Sequence, residues 1–523
     1  MERRAACVHG RSMLAWAEVH QVTVSAKVDF FSPATGSHLG FGACALSPIS
    51  AGECLLEIPL TACLTPLEVT GLPDIVDEQQ KLMLTLLREL LVEAEASRWQ
   101  PYLETLPSEF PTVPLWFTKE ELCMLRGTSV DTLLAGRHIA NQQDLEAIKA
   151  WCKAKPELFP ESCGVSVQQL CWAASVVASR AFDSTQAGVV LAPFADALNH
   201  SGVRPHTRMH DLGNALRFIA ERDIRPGEEV LNTYGEHGNT QWLLNGGFID
   251  TSGPFDDLFV TPADAVSAAL AYKRIYSQQR KHGVSETPVT PIKQSKSQGD
   301  SSEEESVGSS DGDVGLCSRL AQLQDSGVLG DDVFRISADD LLPDKLATVL
   351  LVLCMSTADF ETYMERPPAC SIIDVAEEDL EESLLAHLYR SLLQLVDILE
   401  QRYETTLEED ETALAAMCRT SGGALVQAQE EKQKQQELQE LQQLLQQQFQ
   451  QQPTPLGEQR PQLEAIMAEK RRRLGGWLED SARTSNETLR PCNVRNVLLL
   501  RIGQKKLLRE LRTHSEDCFS SDD

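Results

Sequence analysis

The chain has 523 residues, enough for two or three domains, and 42% of them are apolar, which is close to the composition of globular proteins. Its formal net charge of −30 argues against nucleic acid as a direct partner, because phosphates would be repelled, and it favours a basic protein partner. The 14 cysteines form no CxxC pair, which argues against a zinc ribbon and is typical of reduced thiols.

The N-terminal segment MERRAACVHGRS lacks the apolar core of a secretory signal, so we predict no export. The longest apolar run, Leu346 to Met355, is about half as long as a membrane span, so we predict no membrane association. Together with the unpaired cysteines, these features indicate a protein of the nucleus or the cytoplasm.

In chain order, residues 14–60 are predicted to form short strands, because apolar and polar residues partly alternate and a glycine marks a turn. Leucines then recur at helical spacing over residues 78–99. After a proline-rich stretch, helical patterning resumes over residues 118–182, and short strands are predicted again over residues 189–234. Beyond residue 255 the chain is predicted to be mostly helical.

Two segments of biased composition interrupt the C-terminal half. Residues 285–313 contain few apolar side chains and the cluster SSEEESVGSSDGD, which predicts a disordered loop. Its serines could be phosphorylated, but a solvent-exposed linker without a specific role is the simpler interpretation. Residues 427–452 are dominated by glutamine and are interpreted as a low-complexity insertion, with an amphipathic helix as the alternative.

Three short motifs contain residues that a binding or catalytic site could use. In the GFG run at residues 40–42, two glycines would let a ligand approach the backbone, although a tight hairpin would need them too. Asn199 and His200 follow an apolar run and would offer donors and acceptors at a buried strand end, or would cap a turn. Tyr234 precedes a glycine at another strand end, where a tyrosine usually packs in a core. Each motif alone is a weak signal.

His206 and His210 have the spacing of two helical metal ligands. No glutamate follows the first histidine as it does in a zincin, and no third ligand is evident nearby. The sequence also lacks a GxSxG elbow and a P-loop. We therefore predict no metal site.

Taken together, the three motifs occur in the order and spacing of the SET-domain methyltransferases. Residues 40–42 resemble the first cofactor-binding motif of that family, residues 196–201 its DxxNHS motif, and residues 232–235 its NTYG-type motif. Residues 239–248 resemble the family's tail, which ends in YGF.

Further segments resemble the Rubisco-methyltransferase-like subgroup of this family. RWQPY at residues 98–102 is similar to part of the subgroup's insert. YETTLEEDETAL at residues 403–414 and RIGQKKLL at residues 501–508 are similar to its helical substrate-binding domain, and residues 346–360 resemble a lysine-methylating branch. The cysteine clusters that flank many histone-methylating SET domains are absent, as expected for this subgroup.

The resemblance implies an α+β fold with two domains. Residues 14–252 would form a SET domain, a core of small sheets with a knot-like crossing, and would contain a helical insert at residues 75–175. Residues 253–523 would form an all-helical substrate-binding domain, interrupted by the acidic loop and the glutamine-rich segment.

The resemblance also implies a role for each candidate site residue. S-adenosylmethionine would be held by backbone and side-chain groups of the three motifs and one arginine: Leu39, Gly40, Phe41, Gly42, Arg180, Asn199, His200 and Tyr234. Tyr234 would also be the catalytic tyrosine. The channel for the target nitrogen would be lined by four further residues: Ser179, Asp196, Gly246 and Phe248.

One position departs from the family pattern. Gly246, in LLNGGF, replaces the tyrosine of YGF that helps to enclose the target nitrogen. We expect a wider channel, which could admit more methyl groups or a residue other than lysine. Alternatively, Phe248 or Trp242 fills the space, or the enzyme is weakened.

The resemblance implies S-adenosylmethionine-dependent methylation of a lysine in a protein substrate, without a metal. The expected partner is a basic protein, such as a ribosomal, transcription-related or chromatin-related one, and the chain is expected to be a monomer. A protein-histidine methyltransferase and a SET-like binding scaffold are the alternatives. Intact Asn199, His200 and Tyr234 argue against the scaffold, which would not need all three.

Overall fold

A computed structural model describes residues 2–33, 41–68, 76–136, 142–281, 312–330, 332–364, 382–419 and 489–520. Two compact units are present. The first contains residues 1–125, 133–255 and 411–500, and the second contains 126–132, 256–410 and 501–523. The units therefore do not follow the chain as two continuous pieces. The glutamine-rich segment lies outside the described residues, as does the acidic loop except Gly312 and Asp313, which begin a helix.

The first unit contains three small antiparallel sheets. The four-stranded sheet has the order β1-β4-β8-β7, with β1 Thr23–Val24, β4 Cys54–Pro59, β7 Thr207–Asp211 and β8 Ala215–Ala220. Two-stranded sheets pair β2 Val28–Pro33 with β3 Phe41–Ala45, and β5 Ala181–Ser184 with β6 Gly188–Leu191. Alternate residues of β8, Leu216, Phe218 and Ala220, are buried, as expected for a strand with one face on the core.

The N-terminal part of the strand prediction is wrong, because residues before β1 form a helix, α1, Glu2–Val19. Met13, Trp16 and Ala17 are buried. Their spacing of three and four residues places them on one face of a helix, and a strand would have separated them. The strands begin only at Thr23.

The helical insert is confirmed as helical, but its helices are shorter than predicted. Further helices of this region are α2 Glu78–Arg88, α3 Gln100–Leu103, α4 Lys119–Met124, α5 Ser129–Gly136, α6 Gln142–Lys153 and α7 Val167–Arg180, whereas α8 Asn239–Gly246 follows the NTYG motif outside the insert. The first of them continues as a π-helical turn, Glu89–Glu93. Helix α7 begins at a capping box formed by Ser166 and Gln169 and ends at Arg180, directly before β5.

The second unit is mostly helical, as predicted, but it also contains a two-stranded antiparallel sheet, β9 Asp257–Val260 with β10 Phe334–Ser337. Strands of four residues give too little alternation to be recognised in the sequence. The helices are α9 Pro262–Lys281, α10 Gly312–Asp325, α11 Asp344–Cys354, α12 Thr357–Met364 and α13 Glu382–Glu400. Residues 407–419 are also helical.

The C-terminal helix, Pro491–Ser520, contributes its first part to the first unit and residues 501–520 to the second. In the second unit, Tyr403 donates its hydroxyl to Gln504 Oε1 at 2.9 Å, and Lys505 lies 2.5 Å from Asp410. The two C-terminal segments that resemble the Rubisco-methyltransferase subgroup therefore pack against each other. Among the described residues, no helix is both long enough and apolar enough to cross a membrane.

Candidate active site

Isolated β-bridges and backbone hydrogen bonds bring the three sequence motifs together. The NHS motif lies beside the NTYG motif, because Asn232 N–H donates to Asn199 O at 2.8 Å and Ser201 N–H donates to Asn232 O at 2.9 Å. The segment that leads to the NTYG motif forms bridges and not the predicted strand, and it runs along β3, where Val230 N–H donates to Ala43 O at 2.7 Å. Backbone hydrogen bonds thus hold the ends of three distant segments in one place.

Part of the first motif lies outside the described residues. The positions of Leu39 and Gly40 fall there, so their cofactor-binding role stays a prediction. Phe41 and Gly42 open strand β3, and Gly42 is in register with Ser32 of β2. The backbone of Phe41 and Gly42 is therefore part of the sheet that neighbours Asn199.

His200 connects the NHS and NTYG motifs through its side chain. Its Nδ1 accepts a hydrogen bond from Tyr234 N–H at 3.1 Å, so the proton of the neutral ring is on Nε2. Burial lowers the pKa of His200 to about 4, which keeps the ring neutral near pH 7. Nε2 lies 3.6 Å from Asp250 Oδ2, too far for a hydrogen bond but close enough for electrostatic attraction.

Asp250 is a site residue that the sequence analysis missed. Its carboxylate accepts hydrogen bonds from Gly202 N–H at 3.1 Å and Ser252 N–H at 2.8 Å. Burial by itself would raise the pKa of Asp250, but these bonds lower it. A carboxylate thus faces the N–H of His200 and fixes the loop that follows the NHS motif.

Tyr234 is held as a neutral phenol. Its hydroxyl donates to Leu198 O at 3.0 Å, just before the NHS motif. Burial raises the pKa of Tyr234 to about 12, so the group is a hydrogen-bonding phenol and not a base at neutral pH.

Aromatic rings surround His200 and Tyr234. The ring centroid of His200 lies 4.3 Å from Trp242, 5.0 Å from Tyr234 and 5.7 Å from Phe248. The ring of Phe248 also lies edge-on to Tyr234 at 6.1 Å and is stacked on Trp242 at 6.1 Å. We call these four residues the aromatic cluster. It forms an apolar wall beside the Tyr234 hydroxyl.

Phe248 fills the space beside Gly246. A Cβ atom built on Gly246 would lie only 2.6 Å from Cε1 of Phe248. The ring of Phe248 therefore occupies the space beside Gly246, which was the alternative left open by the sequence, and the roles of both residues in a channel stay predictions. The sequence could not decide between these alternatives, because the pattern of residues does not give the direction in which the Phe248 side chain points.

Arg180 and Asp196 form an ion pair next to Leu198, in which the carboxylate is buried and the guanidinium is partly exposed. Arg180 Nη1 lies 3.2 Å from Asp196 Oδ2 and donates to Asp196 O at 3.0 Å, while the Tyr102 hydroxyl donates to the same carboxylate at 3.1 Å. Burial raises the pKa of Asp196, and the guanidinium opposes that rise. Asp196 is thus held by Arg180 and Tyr102, and its predicted place in the substrate channel stays untested. Tyr102 was not predicted as a site residue.

Asn199 and Ser179 also have partners. Asn199 Nδ2 donates to Glu229 Oε1 at 2.6 Å, a contact that the sequence analysis missed because nothing in the repeated glutamates of PGEE marks one of them. Ser179 donates its hydroxyl to Ser175 O at 2.6 Å, within helix α7, so its role in a channel stays a prediction.

Buried donors without a partner are consistent with a site for S-adenosylmethionine. Within the described ranges, Arg180 Nε, His200 Nε2 and Trp242 Nε1 are buried without a hydrogen-bond partner. Arg180 Nε can donate to a carboxylate or a ribose hydroxyl, and both groups are present in that cofactor. No cluster of three or more His, Cys, Asp or Glu residues able to hold a metal occurs in the described part of the chain.

Comparison with known proteins matches both predicted domains. The model of the SET domain matches residues 40–235, and the model named Rubisco LSMT substrate-binding matches residues 313–433. N-lysine methyltransferase SETD6 of Mus musculus is 25% identical over 73% of this chain and 78% of its own length. N-lysine methyltransferase setd6 of Danio rerio is 26% identical over 79% of this chain and 91% of its own. The actin-histidine N-methyltransferase of Drosophila melanogaster is 26% identical over 44% of this chain and 48% of its own.

Solved structures show the same fold. Rubisco LSMT bound to AdoMet is 17% identical with a TM-score of 0.57, over 97% of this chain and 92% of that one. The SET domain of LSMT bound to MeLysine and AdoHcy is 16% identical with a TM-score of 0.60, over 97% and 91%. The predicted SET-domain fold is confirmed. The chain therefore contains a SET domain and, after it, a substrate-binding domain of the Rubisco LSMT type.

Proposed function

We propose that the chain transfers a methyl group from S-adenosylmethionine to the side-chain nitrogen of a lysine in a protein substrate. The observation that carries this proposal is the meeting of Asn199, His200 and Tyr234. Four backbone and side-chain hydrogen bonds join their two segments, and the ring of Tyr234 is part of the aromatic cluster. A binding scaffold would have no need for this arrangement.

S-adenosylmethionine supplies, when bound, a methyl group on a positively charged sulfonium. Arg180 Nε is free to donate to the anionic part of this molecule. Asn199 already donates its Nδ2 to Glu229, so its amide oxygen remains as an acceptor for an ammonium group. The chain's contribution to methyl transfer is then mainly alignment, which for a well-placed pair of reactants is worth about 7 to 11 kcal/mol.

The aromatic cluster suits a neutral amine. A free lysine has a pKa of about 10.4, so deprotonation near pH 7 costs about 4 kcal/mol. Apolar rings such as Trp242 and Phe248 disfavour the ammonium form and lower that cost. The phenol of Tyr234 is neutral and donates its hydrogen bond to Leu198 O. Its oxygen can therefore accept an N–H of the amine and orient the lone pair of the amine nitrogen.

A histidine substrate is the second candidate, because the tyrosine of the YGF motif is replaced by Gly246. The relative in Drosophila melanogaster is named as an actin-histidine enzyme. The position of Phe248 favours lysine, since its ring occupies the room that glycine would otherwise leave for a bulkier imidazole.

The test uses the full-length protein and S-adenosylmethionine that carries a deuterated methyl group. The protein is added to an extract of cells that lack it, and labelled peptides are identified by mass spectrometry, with Tyr234→Phe as the matched control. Labelled lysine that depends on Tyr234 is expected. Labelled histidine would replace the lysine proposal by the second candidate. An absence of label, combined with an absence of cofactor binding by calorimetry, would support the scaffold.

Finer properties follow from the composition. The strongly negative net charge suits a basic substrate, such as a ribosomal or chromatin-related protein, in the nucleus or the cytoplasm. We expect a monomer, which light scattering after size exclusion would check. Methyl transfer should also be unaffected by a metal chelator.

A further inference from the structure

We propose that Asn496, on the C-terminal helix, is a positioning residue for the channel wall formed by Phe248. Asn496 Nδ2 donates to Gly247 O at 3.0 Å, across 249 positions of the sequence. The Asn496 side chain is buried, so this bond is shielded from water. The inference rests on the proposed function, because the wall matters only if a target nitrogen is enclosed there.

Gly247 is the point at which helix α8 ends and the chain turns toward Phe248. Its φ of +71° is in the left-handed region, which favours glycine. A Cβ atom at this position would lie 2.4 Å from Thr112 Oγ1 and 2.7 Å from the carbonyl carbon of Thr112. The backbone of Gly247 is thus packed against Thr112 while its carbonyl is held by Asn496. Motion at this turn would carry Phe248 with it.

The same stretch of the C-terminal helix also fixes the segment that contains Thr112. Asn493 is fully buried and donates its Nδ2 to Pro111 O at 2.9 Å and to Glu121 Oε1 at 3.0 Å. Arg490 donates its backbone N–H to Glu121 Oε1 at 3.0 Å and its Nη2 to Trp116 O at 2.8 Å. Both sides of the Gly247 turn are therefore anchored by residues 490–496.

The consequence concerns Phe248. Its ring fills the space beside Gly246 and packs near the other three members of the aromatic cluster, namely His200, Tyr234 and Trp242. A tyrosine at position 246 would place a side chain of helix α8 itself in this space. Here a residue two positions later does so, beyond a glycine turn that needs an external support. Asn496 supplies that support.

The test compares Asn496→Ala and Asn496→Asp with Leu511→Ala, which removes a fully buried leucine of the same helix from the core of the second unit. Both Asn496 variants should lower kcat by about tenfold to a hundredfold, since displacement of a positioning group by about 1 Å has effects of this size. Affinity for S-adenosylmethionine, measured by calorimetry, should stay within a few-fold. Leu511→Ala should lower the melting temperature at least as much while keeping kcat within a few-fold of the wild type.

Hydrogen exchange gives a readout that does not depend on activity. Amides of residues 247–249 should exchange faster in both Asn496 variants than in Leu511→Ala. Unchanged exchange there, or an equal loss of kcat in Leu511→Ala, would overturn the proposal. If the wild-type protein transfers no methyl group but exchange responds as expected, the proposed function fails while the support of the turn by Asn496 stands.

Discussion

Two groups of buried polar side chains in the first unit are stabilised in opposite ways. Asp196 is matched by a counter-charge, because Arg180 lies 3.2 Å away and Tyr102 adds a hydrogen bond. His200 and Tyr234 lie among aromatic rings instead, and burial holds their pKa values at about 4 and about 12, so both groups are uncharged at neutral pH.

The difference separates two tasks. The ion pair fixes the orientation of the Arg180 guanidinium and leaves its Nε available for an anionic ligand group. Neutral groups in an apolar wall can accept an amine without imposing a charge of their own. The pair of Arg180 and Asp196, which we call the paired region, is suited to holding a charged cofactor. The rings around His200 and Tyr234, which we call the neutral region, are suited to orienting a nucleophile.

The largest expected effect lies in the neutral region. Tyr234→Phe removes the hydroxyl but keeps the ring, so methyl transfer should fall by more than about a hundredfold while cofactor affinity changes by a few-fold at most. Steady-state kinetics and calorimetry on one preparation measure both quantities. Near-normal turnover would show that Tyr234 only packs.

In the paired region, Arg180→Met should leave the Asp196 carboxylate without a counter-charge. The free energy of unfolding should fall by about 3 kcal/mol, at the low end of the range for a broken buried ion pair, because Arg180 is partly exposed. Burial already raises the pKa of Asp196, and the variant should raise it further. The loss should therefore be largest at neutral pH and should shrink as pH falls and Asp196 becomes protonated.

Urea unfolding at several pH values measures this loss. Asp196→Asn provides the control, because Arg180→Met should cost less in a protein whose Asp196 is already neutral. An equal loss in both backgrounds would show that Arg180 acts through packing and not through charge.

The contribution of the neutral region also fades as pH falls, in this case because His200 takes up a proton. The folded pKa of His200, about 4, is below its ordinary value of 6.5, so folding favours the neutral ring. Stability from this group is present above pH 6.5 and is lost as pH falls toward 4, by about 2 kcal/mol at pH 5. A His200→Gln variant should lack this part of the pH dependence in urea titrations. Identical pH profiles for variant and wild type would contradict the neutral assignment.

The smallest expected effect concerns the packing of the aromatic cluster. Gly246→Ala would press a methyl group against Phe248 and should destabilise the protein by about 1 kcal/mol, the lower range for overpacking. Intact-mass analysis of the product should show a changed ratio of methylation states. In a Phe248→Ala background the same substitution should have little effect. If the product ratio does not change in either background, this wall does not shape the channel.

The sequence predicted the parts of the site that are carried by local motifs. Asn199, His200 and Tyr234 were expected to act together, and an isolated β-bridge with backbone hydrogen bonds joins their segments. Most contacts that complete the site connect distant positions, such as Asn199 with Glu229 and Tyr102 with Asp196. One sequence gives no signal for such pairs, because a glutamate or tyrosine elsewhere in the chain has the same local appearance.

Two other differences have physical causes of different kinds. Helix α1 was missed because its buried positions were interpreted with the period of a strand, although Met13, Trp16 and Ala17 fit a helix. The role of Phe248 depends on the turn at Gly247, whose conformation is set by Thr112 and Asn496 far away in the chain. Only the folded chain contains that information.

The bond network between the insert and residues 490–496 has a consequence for biosynthesis. Glu121 is almost completely buried, and Arg490, which pairs with it, follows 369 residues later. At about 5 to 20 residues per second, the ribosome needs about 20 to 70 s to deliver that arginine. During this time the first unit has an acidic side chain without its partner and a glycine turn without its support. A shortened polypeptide that stops before Arg490 would stay in that state, and chaperones would be expected to retain it.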